Sequence, residues 1–124
     1  MRLLVSPVVH ALCFFAAVAA AQAGSLSKEA PADEYFGRQK QSILEINNRL
    51  NALDYRDART MRSTATAKTL DQLQETITDW QRKYPHDPWL PRYWHHLMKE
   101  YGRAHNASSW HAKAAARLMH AYRP

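Results

Sequence analysis

A proline-cut corner between two amphipathic patterns is the feature that most constrains how this chain can fold. Upstream of the corner, five apolar side chains recur at spacings of three and four residues, which places them on one helical face. They are Leu70, Leu73, Ile77, Trp80 and Tyr84. Pro85 and Pro88 follow, and the residue before a proline is pushed out of the α region. The pattern therefore predicts a helix, a sharp turn and a second helix.

The second helix of this pair is expected to begin near Pro88, with Asp87 as its N-cap. Its apolar stripe consists of Trp94, Leu97 and Tyr101. Gly102 stands where a helix commonly ends. The predicted helix therefore extends from residue 88 to about residue 103.

Two further helical patterns flank this pair. The first has Asp33 as its expected N-cap and an apolar stripe of Phe36, Ile43, Ile46, Leu50 and Leu53. The last runs from Ala107 to Tyr122 behind a cap at Asn106, with a stripe of Trp110, Ala114, Leu118 and Tyr122. Residues 55–68 lack an apolar period, so they are predicted to be a loop, either without helix or with a single helical turn, that ends before a capping box at Thr69 and Gln72.

These patterns predict an all-α fold of four amphipathic helices arranged as antiparallel hairpins. No segment shows the alternation of a strand. The expected organisation is a single helical domain over 33–124, preceded by a disordered polar lead over 24–32.

The N-terminus has the pattern of a secretory signal helix over residues 1–23. Arg2 precedes an apolar run, and Ala21-Gln22-Ala23 matches a cleavage site. Cleavage after Ala23 would give a secreted or periplasmic protein with no integral membrane span. Cys13 is the only cysteine, so the mature chain would contain no disulfide. The alternative is a retained membrane anchor, although the apolar run is marginal for the roughly 20 residues that a span requires.

Charge is distributed unevenly along the chain. Residues 24–79 have a formal net charge of −1, whereas residues 80–124 have a net charge of +6 and contain six of the seven histidines. A basic, aromatic-rich half favours an anionic partner such as nucleic acid, lipid headgroups or an acidic polymer. The alternative is a solvated basic face that keeps the protein soluble.

No pattern in the sequence indicates catalysis or a cofactor. Nucleophile and phosphate-loop motifs are missing from the sequence, and no two histidines stand three or four residues apart. We therefore expect a non-enzymatic protein without a metal or other cofactor. Asp71, Glu75 and Asp79 recur every four residues, which predicts a solvated acidic face or a set of partners for Arg92, Lys99 or Arg103.

Two repeated features resemble tetratricopeptide repeats. Trp94-x-x-Leu97-x-x-x-Tyr101 matches the spacing of the first helix of that family. Tyr84-Pro85 and Tyr122-Arg123-Pro124 close successive helical segments, with the tyrosines 38 residues apart. The sequence departs from the family at Met98, where Gly is usual, and at Trp110 and Lys113, where a small Ala is expected. The resemblance implies paired antiparallel helices and a protein-binding or scaffolding role.

A second resemblance spans the mature chain and concerns small secreted bacterial proteins of unknown function. It depends on Asp33-Glu34-Tyr35-Phe36-Gly37-Arg38, the segment 79–85 and the segment 88–92. It implies a location outside the cytoplasm and adds no activity.

Together these observations predict a secreted or periplasmic helical interaction module that binds or scaffolds a protein partner. Its predicted binding surface consists of Trp89, Arg92, Tyr93, His96, Lys99 and Arg103. The alternative is an electrostatic binder of an anionic envelope polymer, lipid or nucleic acid through the basic half. With only one and a half repeats, the chain is also predicted to form a homodimer that covers its terminal apolar faces.

Overall fold

The computed structural model describes residues 28–124, which form five α-helices and no β-strand. These are α1 (Ile43–Asp54), α2 (Ala58–Met61), α3 (Thr64–Lys83), α4 (Leu90–Arg103) and α5 (Trp110–Ala121). The prediction of an all-α fold is confirmed. Within the described part, every helix falls short of the length and apolarity that crossing a membrane demands. The predicted signal helix and cleavage site lie outside the described residues.

Helix α3 lies at the centre of the domain. It packs against α4 and α5, and α4 also contacts α1. Trp80 and Trp94 are fully buried in the shared core, and both indole N–H groups have acceptors. Trp80 donates to Asp87 at 2.8 Å, and Trp94 donates to Gln81 at 2.6 Å. The two largest core side chains are therefore buried without an unsatisfied polar atom.

The first helix begins nine residues later than predicted, because Phe36 belongs to a tight turn and not to a helix. Phe36 and Gln41 exchange two backbone hydrogen bonds of 2.9 Å around Gly37 and Lys40, which both have positive φ. Ser42 then caps α1, and Glu45 completes the capping box. Phe36 is nevertheless fully buried and stacks on Trp80. Phe36 packs against the core from the turn, whereas Ile43 packs against it from α1. Their helical spacing therefore does not mean that they share a helix.

The predicted loop over 55–68 is mostly helical, which corrects the prediction for this segment. Asp57 caps α2, and Ser63 caps α3 six residues before the predicted start at Thr69. Thr66 is buried and donates to the carbonyl of Thr60 at 2.7 Å. The buried face of this segment is therefore formed in part by polar side chains that are hydrogen-bonded, and an apolar pattern does not reveal them. Thr69 lies inside α3, where its hydroxyl bonds the carbonyl of Ala65.

Both C-terminal helices also begin later than predicted. Helix α4 begins at Leu90 with Trp89 at the N-cap position, so the prediction of Asp87 as the N-cap was wrong. The Asp87 carboxylate instead accepts the backbone N–H of Trp89 in the turn before the helix. Helix α5 is capped by Ser109 and not by Asn106. Its buried positions are Ala112 and Ala115, whereas the predicted stripe residue Trp110 is 66% exposed. Small side chains let α5 approach its neighbours closely, so the core face of this helix is formed by alanine.

Replacing Gly37 with alanine should lower the free energy of unfolding by about 2 kcal/mol. Gly37 has a φ of 71°, and an added Cβ would lie 2.7 Å from the Thr76 hydroxyl and 3.0 Å from its Cα. The Thr76 hydroxyl is itself fixed by Gln41 and by the carbonyl of Gln72. Chemical denaturation of the two proteins would measure the difference.

Gly102 provides the matched control. It lies within α4, and an added Cβ would meet no atom within 4 Å. Alanine at this position should stabilise the domain by about 0.5–1 kcal/mol, because it favours the helix. Equal effects of the two substitutions would contradict the role assigned to the turn at Gly37.

Candidate functional site

The six residues predicted as a binding surface lie along one stripe of α4 and its N-terminal turn, but the structure divides them between two places. Trp89, Arg92 and Tyr93 lie beside the start of α1 at Ile43 and Leu44. His96, Lys99 and Arg103 contact the end of α1 and the turn that follows it. Helices α1 and α4 therefore run in the same direction. They leave a groove at one end and form a closed contact at the other.

The Trp89 groove is a surface cleft of about 450 Å³. It is lined by Glu29, Ala30, Ala32, Ile43, Leu44, Asn47, Trp89, Arg92 and Tyr93. Leu44 is 66% exposed and Trp89 is 49% exposed, so two large apolar side chains in the lining of the cleft are accessible to solvent. Tyr93 is partly buried, and its ring packs edge-on against Trp80 at 4.9 Å between centroids. The floor of the groove is thus joined to the hydrophobic core.

Asp87 fixes the walls of the Trp89 groove. Its side chain is almost fully buried. One carboxylate oxygen accepts the N–H of Ala30 at 2.9 Å and the indole N–H of Trp80 at 2.8 Å. The other accepts the backbone N–H of Trp89 at 3.0 Å, and Tyr122 donates to the Asp87 carbonyl at 2.9 Å. A single carboxylate therefore joins the N-terminal lead, α3 and the corner. Of the predicted disordered lead 24–32, the described part includes this fixed residue, Ala30.

Arg92 supplies the positive charge at the groove. It is exposed, and the acidic residue in the lining of the same groove is Glu29. Burial raises the pKa of the Tyr93 phenol, while the charge of Arg92 acts in the opposite direction. The groove therefore presents an apolar surface next to a guanidinium that is available to a carboxylate.

The second place is the α1–α4 joint, formed by Asp54, His96, Lys99, Glu100 and Arg103. Arg103 donates to the carbonyls of Leu53 and Arg56 at 2.9 and 2.8 Å, and it also binds the carboxylate of Glu100. It thereby satisfies carbonyl groups that the end of α1 leaves open. Glu100 is fully buried, and the charge of Arg103 compensates it.

Asp54 contacts Lys99 and His96 at the exposed edge of the α1–α4 joint. Lys99 donates to Asp54 Oδ1 at 2.8 Å, and His96 Nε2 lies 3.0 Å from the same atom. The Lys99 ammonium holds the pKa of the Asp54 carboxyl well below its usual range. Asp54 in turn raises the pKa of Lys99. Since Lys99 is 55% exposed, solvent screening keeps the contribution of this pair to stability small.

Three of the six predicted residues thus have structural contacts that explain their positions without a ligand. Sequence reasoning also missed several groove residues, namely Ile43, Leu44 and Asn47. The available signal was Leu44, a large apolar side chain that lies off the buried stripe of α1. In the α1–α4 joint, the missed residues were Asp54 and Glu100. No two histidines have the spacing of a shared helix face, but His96 and Glu100 do, because they are four residues apart.

The acidic row of α3 has different partners from those predicted. Asp71 accepts from the Tyr101 hydroxyl at 2.9 Å, and Glu75 pairs with Arg38 at 2.7 Å. Asp79 accepts the backbone N–H of Gly37 and pairs with Lys83 and Arg82. Within residues 28–124, none of the three acids pairs with Arg92, Lys99 or Arg103. The row faces the N-terminal turn and His111 of α5, and Tyr101 of α4 donates to its first member.

No protein-family model matches this chain, and the comparisons with curated proteins and with solved structures also find no match.

Proposed function

We propose that this protein is a secreted or periplasmic, non-enzymatic interaction module that binds a protein partner in the Trp89 groove. The observation that supports the proposal is the exposure of two large apolar side chains, Leu44 and Trp89, in the lining of one cleft of about 450 Å³. Exposed apolar side chains that line a groove are typical of protein-binding sites. Tryptophan is also among the residues that contribute most to binding energy at interfaces.

The chemistry of the groove favours one kind of partner. Leu44, Trp89 and Tyr93 would receive an apolar side chain of the partner, and Arg92 would pair with a neighbouring carboxylate. We therefore propose that the groove binds a protein segment with a large apolar residue next to Asp or Glu. The anchoring of the walls by Asp87 supports a largely preformed groove, which reduces the entropy lost on binding.

The arrangement of α3, α4 and α5 as tetratricopeptide-like helical hairpins is part of the same proposal. Trp94, Leu97 and Tyr101 are fully buried, as the resemblance to the first helix of such a repeat requires. Helix α4 packs against both α3 and α5. A repeat of this kind presents its remaining helix surface to a partner, and the Trp89 groove lies on that surface.

The alternative, an electrostatic binder of an anionic polymer, receives less support from the basic side chains. Arg82 and Lys83 pair with Asp79, and Lys99 and Arg103 pair with Glu100. Because carboxylates already neutralise these four groups, the groups attract a phosphate or sulfate less strongly. Arg92, Lys113 and Arg117 remain exposed for such a role.

The proposal is tested by comparing two tryptophans that are both exposed. The full chain is expressed with its own N-terminus and purified from the envelope fraction, where its intact mass should correspond to residues 24–124. It is then screened against a random peptide library at moderate salt. We expect selected peptides to share an apolar residue adjacent to Asp or Glu. Trp89→Ala should weaken binding of those peptides by about 30-fold or more, which corresponds to about 2 kcal/mol.

Trp110→Ala is the matched control, because Trp110 is even more exposed but lies away from the groove, at the start of α5. It should leave peptide affinity unchanged. Equal losses in the two variants would contradict a specific groove. Binding that falls steeply with salt and is insensitive to Trp89→Ala would favour the electrostatic alternative. A dimer that Trp89→Ala converts to a monomer would identify a second copy of this chain as the occupant. A protein recovered intact from the cytoplasm at the mass of residues 1–124 would contradict the proposed location.

A further inference from the structure

The α1–α4 joint brings together three side chains of the kinds that bind transition metals. Asp54 comes from the last residue of α1, whereas His96 and Glu100 stand one turn apart on α4. His96 Nε2 lies 3.0 Å from Asp54 Oδ1 and 3.8 Å from Glu100 Oε1. One ligand atom from each of the three residues falls within 4.8 Å of the others.

The separations suit a tetrahedral zinc ion. Zinc binds nitrogen and oxygen ligands at about 2.0–2.2 Å, so ligand atoms in a tetrahedral site lie about 3.3 Å apart. The distances from His96 to the two carboxylates, 3.0 and 3.8 Å, lie on either side of that value. The exposed Asp54 carboxylate can rotate to adjust its own separations, and all three ligand atoms already lie within 4.8 Å of one another. An imidazole with two carboxylates favours zinc over magnesium or calcium, which prefer oxygen ligands alone.

Glu100 gives an independent indication that a cation belongs here. The side chain is fully buried, yet its Oε1 atom accepts no hydrogen bond from the described residues. Lys99 Nζ lies 3.2 Å from this oxygen, which provides electrostatic attraction without hydrogen-bond geometry. Oε1 therefore lacks a hydrogen-bond donor among residues 28–124, and it lies 3.8 Å from His96 Nε2. A buried carboxylate oxygen without a hydrogen bond is costly unless a cation interacts with it.

Lys99 shows how the fold compensates this charge in the absence of metal. Its ammonium lies 2.8 Å from Asp54 Oδ1 and 3.2 Å from Glu100 Oε1, so it faces both acidic ligands. The Lys99 side chain is more than half exposed, and its long stem can move the ammonium into solvent. Arg103 binds the other oxygen of Glu100. It would keep that carboxylate oriented, as side chains that hydrogen-bond to metal ligands do in known metal sites.

We propose that Asp54, His96 and Glu100 form a zinc-binding site, and that the ammonium of Lys99 takes the place of the metal when zinc is absent. Zinc binding would then fasten the end of α1 to α4 by three coordinate bonds. The fourth coordination position would be filled by water from the exposed side of the joint. This proposal does not depend on the Trp89 groove.

The test is a competition between the full chain and a chromophoric chelator for zinc at neutral pH. Lys99→Met removes the competing ammonium while retaining an unbranched side chain, so it should tighten zinc binding by about tenfold or more. In the Lys99→Met background, His96→Gln and Asp54→Asn should each weaken binding by about tenfold or more. Cobalt titration of Lys99→Met should give the visible absorption of a tetrahedral ion.

The matched control is His111→Gln, because His111 also lies near two carboxylates, those of Asp71 and Glu75. That substitution should leave zinc affinity unchanged. Equal losses from His96→Gln and His111→Gln would show dispersed binding by surface histidines and overturn the proposal. Unchanged affinity in Lys99→Met would also overturn it, provided that circular dichroism shows a folded helical protein. Trp89→Ala should retain full zinc affinity, so failure of the groove proposal would be separately visible.

Discussion

Replacing Arg103 with alanine should lower the free energy of unfolding by about 3–5 kcal/mol. The substitution leaves the fully buried carboxylate of Glu100 without the guanidinium that compensates it. It also removes the donors for the carbonyls of Leu53 and Arg56. A domain of this size has a total stability of about 5–15 kcal/mol, so the loss would be a large part of it. Urea denaturation followed by circular dichroism would measure the change.

Two variants make this prediction specific. Arg103→Lys retains the charge but not the planar fork that reaches both carbonyls and the carboxylate, so it should give an intermediate loss. Lys113→Ala removes an exposed cation from α5 and should change stability by less than about 0.5 kcal/mol. If Arg103→Ala destabilised the domain no more than Lys113→Ala, Arg103 would not be needed to compensate Glu100.

Replacing Asp87 with alanine should cost about 3 kcal/mol of folding free energy. The substitution removes the acceptor for the buried indole N–H of Trp80 and for the backbone N–H groups of Ala30 and Trp89. A buried donor left without a partner destabilises the fold by the full cost of removing it from water. Each of these bonds is also strengthened by the negative charge of the acceptor. Thermal or chemical denaturation would report the loss.

Asp87→Asn tests the assignment with nearly the same shape. The amide retains one acceptor oxygen and places an NH2 group against donors, so we expect about half of the loss seen with alanine. A double-mutant cycle with Trp80→Phe should show coupling of about 1 kcal/mol or more between the two side chains. Additive effects in that cycle would mean that the bond between Trp80 and Asp87 contributes nothing to stability.

The helical class and the central pair of helices could be predicted from sequence because their burial depends on apolar side chains. Leu70, Leu73, Ile77 and Trp80 are all fully buried, as their spacing predicts. The prediction was wrong where polar or small residues form the buried face, as Thr66 does in α3 and Ala112 in α5. It was also wrong at Phe36, where a buried aromatic in a turn continued the apparent period of a helix.

The missed start of α1 had a signal in the sequence. Ser42 and Glu45 have the spacing of a capping box, and Gly37 precedes them as a turn residue. The apolar spacing extends back to Phe36, and for that reason it predicts an N-cap at Asp33 instead. Local capping patterns were therefore better evidence for this boundary than apolar spacing.

The candidate site was only partly predictable, because sequence reasoning could not place α1 beside α4. The six predicted residues, from Trp89 to Arg103, follow one side of α4 and its N-terminal turn. What each residue does depends on what faces it. Near Trp89 the neighbours are Ile43 and Leu44, which leave a groove. Near Arg103 the neighbours are carbonyls and Asp54, which close the contact.

The contact of Arg103 with the end of α1 also constrains the order in which the chain folds. The two carbonyls that Arg103 binds lie 50 and 47 residues earlier in the sequence. A chain that leaves the ribosome N-terminus first therefore releases all of α1 long before the residue that completes its C-terminal end. Short isolated helices are marginal in water, so α1 should form stably only after α4 has emerged. The docking of these two helices, which closes a long loop, is expected to be a late step in folding.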